Sequence, residues 1–283
     1  MLVPAARLEL QRAGLTELPE FHGAKYVDLS GNELTTLPDW FWGLTELQSL
    51  SLGENPLASL PESLGQLTGL THLYVYGTKI RAVPDAIGLL RNLQVLDLGH
   101  NKLEALPETL GDLTRLTFLY VHDNRLAGLP DSLGGLPALV YLNIGENPLR
   151  ELPASLGELV NLKELRATKN GLTDIPETLG RLASLRELHL ERNRLTSLPA
   201  SLGGLTRLRR LNLRDNQLSD LPASFCHLES LLELDLRGNR FTTLPAVIAE
   251  LPQLEKLDLR WNRLSSVPAW LQRLEERGCM VYL

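Results

Sequence analysis

Residues 93–115 read LQVLDLGHNKLEALPETLGDLTR, and this stretch decides the fold. Leu96 and Leu98 flank Asp97, an alternation that predicts a short β-strand with one buried face and one outward face. Proline fixes φ and lacks a backbone donor, so Pro107 is predicted to end the inner turn. The apolar residues after the proline are predicted to pack a short helical or 3-10 segment onto the strand.

The same unit recurs along nearly the whole chain. Residues 24–276 divide into eleven units of 23 residues without an insertion or deletion, each close to LxxLxLxxNxLxxLPxxLGxLxx. One such unit cannot bury its leucines alone, so stability must come from stacked neighbours. We therefore predict a single domain over 1–283, with a capping unit at 1–23 and a C-terminal half-repeat at 277–283.

The ninth position of the unit carries an asparagine. A buried amide is costly unless it is hydrogen-bonded, so the recurrence predicts a ladder in which each amide bonds the backbone of adjacent turns. One unit has Thr78 at this position. The asparagines are Asn32, Asn55, Asn101, Asn124, Asn147, Asn170, Asn193, Asn216, Asn239 and Asn262.

These motifs resemble the intracellular leucine-rich repeats of the plant Ras-group proteins and of the Roco GTPases. The resemblance covers almost the whole chain. It implies an α/β leucine-rich-repeat solenoid, a horseshoe with a concave parallel β-sheet and short helical or 3-10 segments on the convex side. It also implies, by analogy, a small GTPase or another signalling component as a partner.

Composition narrows the class of protein. The chain has 283 residues, is 43% hydrophobic and carries a formal net charge of −6. This balance is ordinary for a globular protein and argues against a nucleic-acid binder.

Cys226 and Cys279 are far apart, which favours a reducing compartment. No signal-peptide or membrane-span pattern is present, so we expect a cytoplasmic protein. The preference for arginine over lysine suggests a bacterial source.

The sequence contains no recognisable catalytic motif. It has no GxxxxGK[ST] loop, no GxSxG elbow, no HExxH helix and no kinase signature. No nucleophile–base pair is evident either. We therefore expect a non-catalytic protein without a cofactor, a scaffold or adaptor whose function lies on a surface.

Aromatic side chains are concentrated at the third, fifth and seventh positions of a few neighbouring units, which are predicted to face outward. Strands favour aromatic residues in any case, but most other strands carry small or charged residues here. Clustered exposed aromatics are typical of interface cores, so we predict the partner-binding site at this cluster. The aromatic patch, as we name it, comprises His72, Tyr74, Tyr76, Asp97, Phe118, Tyr120, His122 and Tyr141.

A metal site is an alternative for part of this patch. His72, Asp97, His100 and His122 lie on adjacent predicted strands and their side chains could converge. A flat ladder rarely provides tetrahedral geometry, so the sequence favours no metal.

A second surface carries arginine. Arg214, Arg237 and Arg260 occupy the seventh position of consecutive units, with Arg192 and Trp261 on nearby turns. These five residues, the arginine strip, are predicted to be a secondary binding surface that steers an acidic partner. Two alternatives remain open: a solvated charged surface, or a nucleic-acid or polyanion binder. The chain could also be the repeat domain of a larger signalling protein.

Overall fold

A computed structural model describes residues 7–283, so the first six residues of the predicted capping unit lie outside it. The described residues form two compact units, 7–139 and 140–283. Each repeat contributes one three-residue strand and one short outer helix. The predicted parallel solenoid of strands and outer 3-10 segments is confirmed within each unit.

The first unit contains strands β1–β6 and 3-10 helices η1–η5. Their bounds are β1 Arg7–Glu9, β2 Tyr26–Asp28, η1 Asp39–Gly43, β3 Ser49–Ser51, η2 Glu62–Gln66, β4 His72–Tyr74, η3 Asp85–Leu89, β5 Val95–Asp97, η4 Glu108–Asp112, β6 Phe118–Tyr120 and η5 Asp131–Gly135.

The second unit contains strands β7–β13, 3-10 helices η6–η10 and the α-helix α1. Their bounds are β7 Tyr141–Asn143, η6 Ala154–Glu158, β8 Glu164–Arg166, η7 Glu177–Arg181, β9 Glu187–His189, η8 Ala200–Gly204, β10 Arg210–Asn212, η9 Ala223–His227, β11 Glu233–Asp235, η10 Ala246–Glu250, β12 Lys256–Asp258, α1 Trp270–Glu276 and β13 Met280–Tyr282. None of the described helices is long and apolar enough to cross a lipid bilayer.

Sequential strands pair in parallel, and the register follows the repeat. In the first unit Leu73 pairs with Leu96, which pairs with Leu119, at steps of 23 residues. The ends depart from this step. Leu8 pairs with Val27 after a curtailed outer segment, whereas α1 replaces the 3-10 helix before β13.

The asparagine ladder is present as predicted. Asn124 donates from Nδ2 to the carbonyls of Leu98 at 3.0 Å and Val121 at 3.1 Å, and its Oδ1 accepts the N–H of Leu103 at 2.9 Å. Thr78 takes part as well, because its hydroxyl donates to Oδ1 of the next ladder residue at 2.6 Å. Each amide therefore ties neighbouring coils together.

The residue just before the ladder position has a left-handed backbone, which the sequence analysis did not predict. His100 has φ 56°, Arg192 φ 59° and Trp261 φ 63°. In other units the same position is occupied by glycine, as at Gly31 and Gly77. This backbone conformation is uncommon for a residue other than glycine, and it recurs at the eighth position of the unit.

Candidate binding surfaces

The first unit gathers most of the predicted aromatic patch on neighbouring strands. His72 and Tyr74 begin and end β4, Phe118 and Tyr120 begin and end β6, and β5 lies between them with Asp97 at its end. The side chains are partly exposed, and Phe118 is the most accessible of the ring systems on these strands. These residues of the predicted cluster therefore lie on adjacent strands and turns of one unit.

Two rings of the patch lie flat against glycines of the preceding coil. A Cβ on Gly53 would lie 2.5 Å from Cε1 of Tyr76, and a Cβ on Gly99 would lie 2.5 Å from Cε1 of His122. Neither ring could keep its place against a larger residue. The sequence contained this signal, a glycine one unit before each ring, but the analysis did not use it.

Two phenols of the patch, Tyr74 and Tyr76, have raised pKa values. Burial, and then the negative charge of Asp97, raises the pKa of Tyr74. Burial and the charge of Glu54 raise the pKa of Tyr76. Both hydroxyl groups are protonated at neutral pH, as ordinary phenols are, and each can donate and accept a hydrogen bond.

The three histidines that the sequence analysis considered as metal ligands fall into two groups in the structure. His72 stacks on Tyr74 with ring centroids 6.3 Å apart. His100 and His122 instead approach each other, with their Nε2 atoms 3.2 Å apart. Nδ1 of His100 lies 2.7 Å from a carboxylate oxygen of Asp123, a residue that the sequence analysis did not single out.

Asp97 lies partly buried close to this histidine pair. Its Oδ1 accepts the N–H of Gly99 at 2.9 Å. Burial raises the pKa of Asp97, and the hydrogen bond from Gly99 and the charges of His122 and His100 only partly offset that rise.

Tyr141, the remaining residue of the predicted patch, begins β7 in the second unit and is partly buried.

The arginine strip also lies in the second unit, and carboxylates line it. Arg192 and Arg214 both contact Asp215, with N–O distances of 3.7 and 3.1 Å. Arg237 binds Asp235 closely through its guanidinium. The positive charge of the strip is therefore largely balanced by its own neighbours.

Asp258 is the most buried of these carboxylates, with a side chain only 4% exposed. Its Oδ2 lies 2.7 Å from Nη2 of Arg260 and 3.4 Å from Nε of Arg237. Burial alone would raise the pKa of Asp258, but the hydrogen bonds from Arg260 and the charges of both arginines lower it overall.

Trp261 is the exposed aromatic residue of the strip. Its residue surface is 64% accessible, and the guanidinium carbons of Arg214 and Arg260 lie 5.5 and 5.8 Å from the centroid of its ring. Arginine–tryptophan contacts of this kind are attractive through the ring quadrupole.

A further cluster that sequence reasoning missed lies on β8 and β9. Ligand atoms of Glu164, Glu187 and His189 all lie within 4.8 Å of one another. Both carboxylates are already engaged, Glu164 by Arg166 and Glu187 by Arg210 at 3.1 Å. The sequence feature that could have predicted this cluster is the acidic residue at the third position of two consecutive units.

Comparisons with known proteins agree with this architecture. Family models match three overlapping parts of the chain. They are described as "Leucine-rich repeat region" (residues 72–140 and 123–212), "Leucine rich repeat" (7–57 and 22–80) and "Leucine-rich repeat and WD repeat-containing protein 1, LRR" (175–273).

A solved leucine-rich-repeat protein of Leptospira interrogans is similar over 98% of this chain and 71% of its own, at 33% identity and a TM-score of 0.92. The chain belongs to the leucine-rich-repeat proteins. Proteins of this family commonly mediate protein–protein interactions and are generally non-enzymatic, and the matched family models name no enzyme. No curated protein matches this leucine-rich-repeat chain by sequence.

Two further solved structures are similar to this leucine-rich-repeat protein. The plant peptide hormone receptor RGFR1, solved in complex with RGF2, is 28% identical with a TM-score of 0.75. The match covers 92% of this chain but only 47% of the receptor chain. The leucine-rich-repeat domain of the type III effector XopL is 30% identical with a TM-score of 0.68, over 83% of this chain and 75% of that domain.

Proposed function

We propose that this protein is a non-catalytic interaction module, a scaffold or adaptor that binds a partner protein on the concave face of its solenoid. The aromatic patch is the principal contact. The observation that carries this proposal is the set of partly exposed rings on β4, β6 and the following turns, gathered around Asp97.

The chemistry of these rings suits protein recognition. Tyrosine supplies a large contact area at a small cost in side-chain entropy, and tyrosine is enriched among residues that dominate binding energies. Two of the rings are already held against glycine, so little order has to be imposed on binding. Tyr76 and His122, on the turns that follow β4 and β6, are thus preorganised anchors.

The arginine strip is a secondary contact. Trp261 and the arginines beside it belong to the residue types that recur at energetic centres of interfaces. Because carboxylates of the same surface hold these arginines, the strip would orient a partner more than attract it over a distance. The same pairing favours a protein partner over a nucleic acid, which needs unneutralised cations.

The partner class rests on analogy. The resemblance to plant Ras-group and Roco repeats suggests a small GTPase or another component of a signalling assembly, and a cytoplasmic setting. The receptor RGFR1 was solved with a peptide hormone, so an extended peptide on the same face is a further form that the partner could take.

The test compares the wild type with the double variant Tyr74→Ala/Tyr120→Ala in affinity capture from a lysate, followed by titration of the captured protein. Loss of two anchors should weaken binding by at least tenfold, about 1.4 kcal/mol. Leu89→Ala/Val160→Ala is the matched control, since both residues are exposed but lie outside the patch and the strip. Equal recovery with the tyrosine variant and the wild type would remove the aromatic patch from the proposal.

A further inference from the structure

The histidine pair at the edge of the aromatic patch has the geometry of a metal site. We infer that His100 and His122 bind one divalent transition-metal ion, of the class of Zn²⁺, between their Nε2 atoms. These atoms lie 3.2 Å apart. Two imidazole nitrogens on one tetrahedral zinc ion, each at about 2.0–2.1 Å, are separated by about 3.3 Å. The observed spacing is therefore close to that of two imidazole nitrogens on one ion.

The carboxylate of Asp123 provides a second, independent indication. It lies 2.7 Å from Nδ1 of His100, and an ionised carboxylate can only accept. In the neutral imidazole the proton therefore sits on Nδ1, and Nε2 of His100 accepts the Nε2–H of His122 at 3.2 Å. An ion bound between the two nitrogens takes the place of that proton, which moves to Nδ1 of His122. A carboxylate on the far nitrogen of a metal-binding histidine is the usual orienting partner, and it makes the ligand more basic.

The other ring is positioned by packing. Imidazole atoms of His122 lie against Gly99, where a Cβ would approach Cε1 to 2.5 Å and Nε2 to 3.1 Å. His100 stands on a left-handed turn with φ 56°, which projects its side chain across the neighbouring coil. Both nitrogens are thus set by the backbone of the repeat before any ion binds.

The electrostatic surroundings favour a cation. Asp97 and Asp123 both lie close enough to interact with the pair, and His100 remains about half exposed. Two protein nitrogens leave further coordination positions open toward solvent, where water completes the shell. Imidazole ligands suit zinc, copper and nickel better than magnesium or calcium.

The cluster of Glu164, Glu187 and His189 offers three ligand atoms but a different environment. Arg166 and Arg210 already bind its carboxylates, and an incoming ion would have to displace these bonds beside two positive charges. This cluster is therefore expected to stay empty, and His189 provides the matched control for the histidine pair.

The test titrates Zn²⁺ alone into the metal-free full chain by isothermal calorimetry, with Co²⁺ absorption as a reporter of geometry. We expect one saturable site with a Kd below about 0.1 mM. His100→Gln and His122→Gln should each weaken binding at least tenfold. Asp123→Asn should weaken it about 10- to 100-fold, since a carboxylate bonded to the far nitrogen of a metal-binding histidine contributes that much.

The control variants His189→Gln and His72→Gln should bind Zn²⁺ as the wild type does. Circular dichroism checks that each variant is folded. The inference is overturned if the wild type shows no saturable binding, or if His189→Gln lowers the affinity as much as His100→Gln. Because Zn²⁺ is added without a partner, this result is independent of the proposed interaction function.

Discussion

Asp97 in the first unit and Asp258 in the second occupy the same place in their repeats, yet their pKa values shift in opposite directions. Each ends its strand and accepts the N–H of the residue two positions later, at 2.9 Å for Asp97 and 3.3 Å for Asp258. Burial raises the pKa of Asp97. For Asp258 the raising effect of burial is outweighed by Arg260 and Arg237.

This difference shows how one repeat supports two kinds of surface. The backbone sets where the fifth-position carboxylate lies, and its neighbours on the same coil and on the adjacent coils decide whether its charge is stabilised. In the first unit those neighbours are aromatic rings and imidazoles, and in the second they are guanidinium groups. In the first unit the ionised form of Asp97 is disfavoured by its surroundings. In the second unit the ionised form of Asp258 is stabilised by the neighbouring arginines.

The largest effect is expected from removing the charge of Asp258. Asp258→Asn keeps the shape of the side chain but leaves Arg260 without its carboxylate partner and Arg237 with Asp235 alone, and should destabilise the protein by about 1–3 kcal/mol. Asp97→Asn removes a poorly stabilised charge and keeps an oxygen for the N–H of Gly99. It should leave the stability at neutral pH unchanged or slightly higher.

Urea unfolding of the two variants and the wild type at pH 7 measures this contrast. Arg207→Gln is a control for the loss of one surface charge, since Arg207 is exposed and forms no ion pair with the described carboxylates. Equal losses of stability in the two aspartate variants would contradict the distinction between the two surfaces.

A smaller effect is expected in the pH dependence of the same variants. The folded-state pKa of Asp258 is below its ordinary value of 3.8, so its contribution is complete above about pH 4 and is lost as pH falls through the folded pKa. The advantage of the wild type over Asp258→Asn should therefore shrink between pH 7 and about pH 3.

Asp97 should behave in the opposite sense. Its folded-state pKa is raised, so its favourable contribution is present below the unfolded value of about 3.8 and is lost as pH rises through the folded pKa. The unfolding free energy of the wild type should thus fall relative to that of Asp97→Asn as pH rises. Unfolding free energies at three pH values test both slopes, and slopes of the same sign would show that the arginines do not set the difference.

The repeat predicted the fold closely because its signals are local. The alternation around Leu96 predicted β5, the Leu-Pro step predicted the start of η4, and the recurring asparagine predicted the bonds of Asn124. Each depends on a few adjacent residues and on the same residues one unit away.

The chemistry of the surfaces was predicted less well because it depends on side-chain direction. The left-handed turn at His100 brings its ring to His122, and neither the turn nor the approach follows from the strand register. The pairing of Arg237 with Asp235, two residues earlier on the same face, was within reach of the sequence. The strip was instead predicted as a net basic surface.

The smallest effect on stability is expected at Trp261. Its ring is largely exposed and its backbone is left-handed, a conformation that costs a non-glycine residue roughly 1–2 kcal/mol. Gly238 holds the same position one unit earlier, with φ 63°. Trp261→Gly should therefore leave the unfolding free energy unchanged or raise it by up to about 1 kcal/mol, even though two cation–π contacts are lost.

Thermal and urea unfolding measure this change, and Trp42→Gly is the contrasting variant because Trp42 is only 3% exposed. If Trp261→Gly instead lowered the unfolding free energy by more than about 1 kcal/mol, the ring would be a structural element of the arginine strip. If stability is kept while partner binding weakens, Trp261 is held in a strained turn for recognition. The arginine strip would then contribute a hot spot to the interface rather than orientation alone.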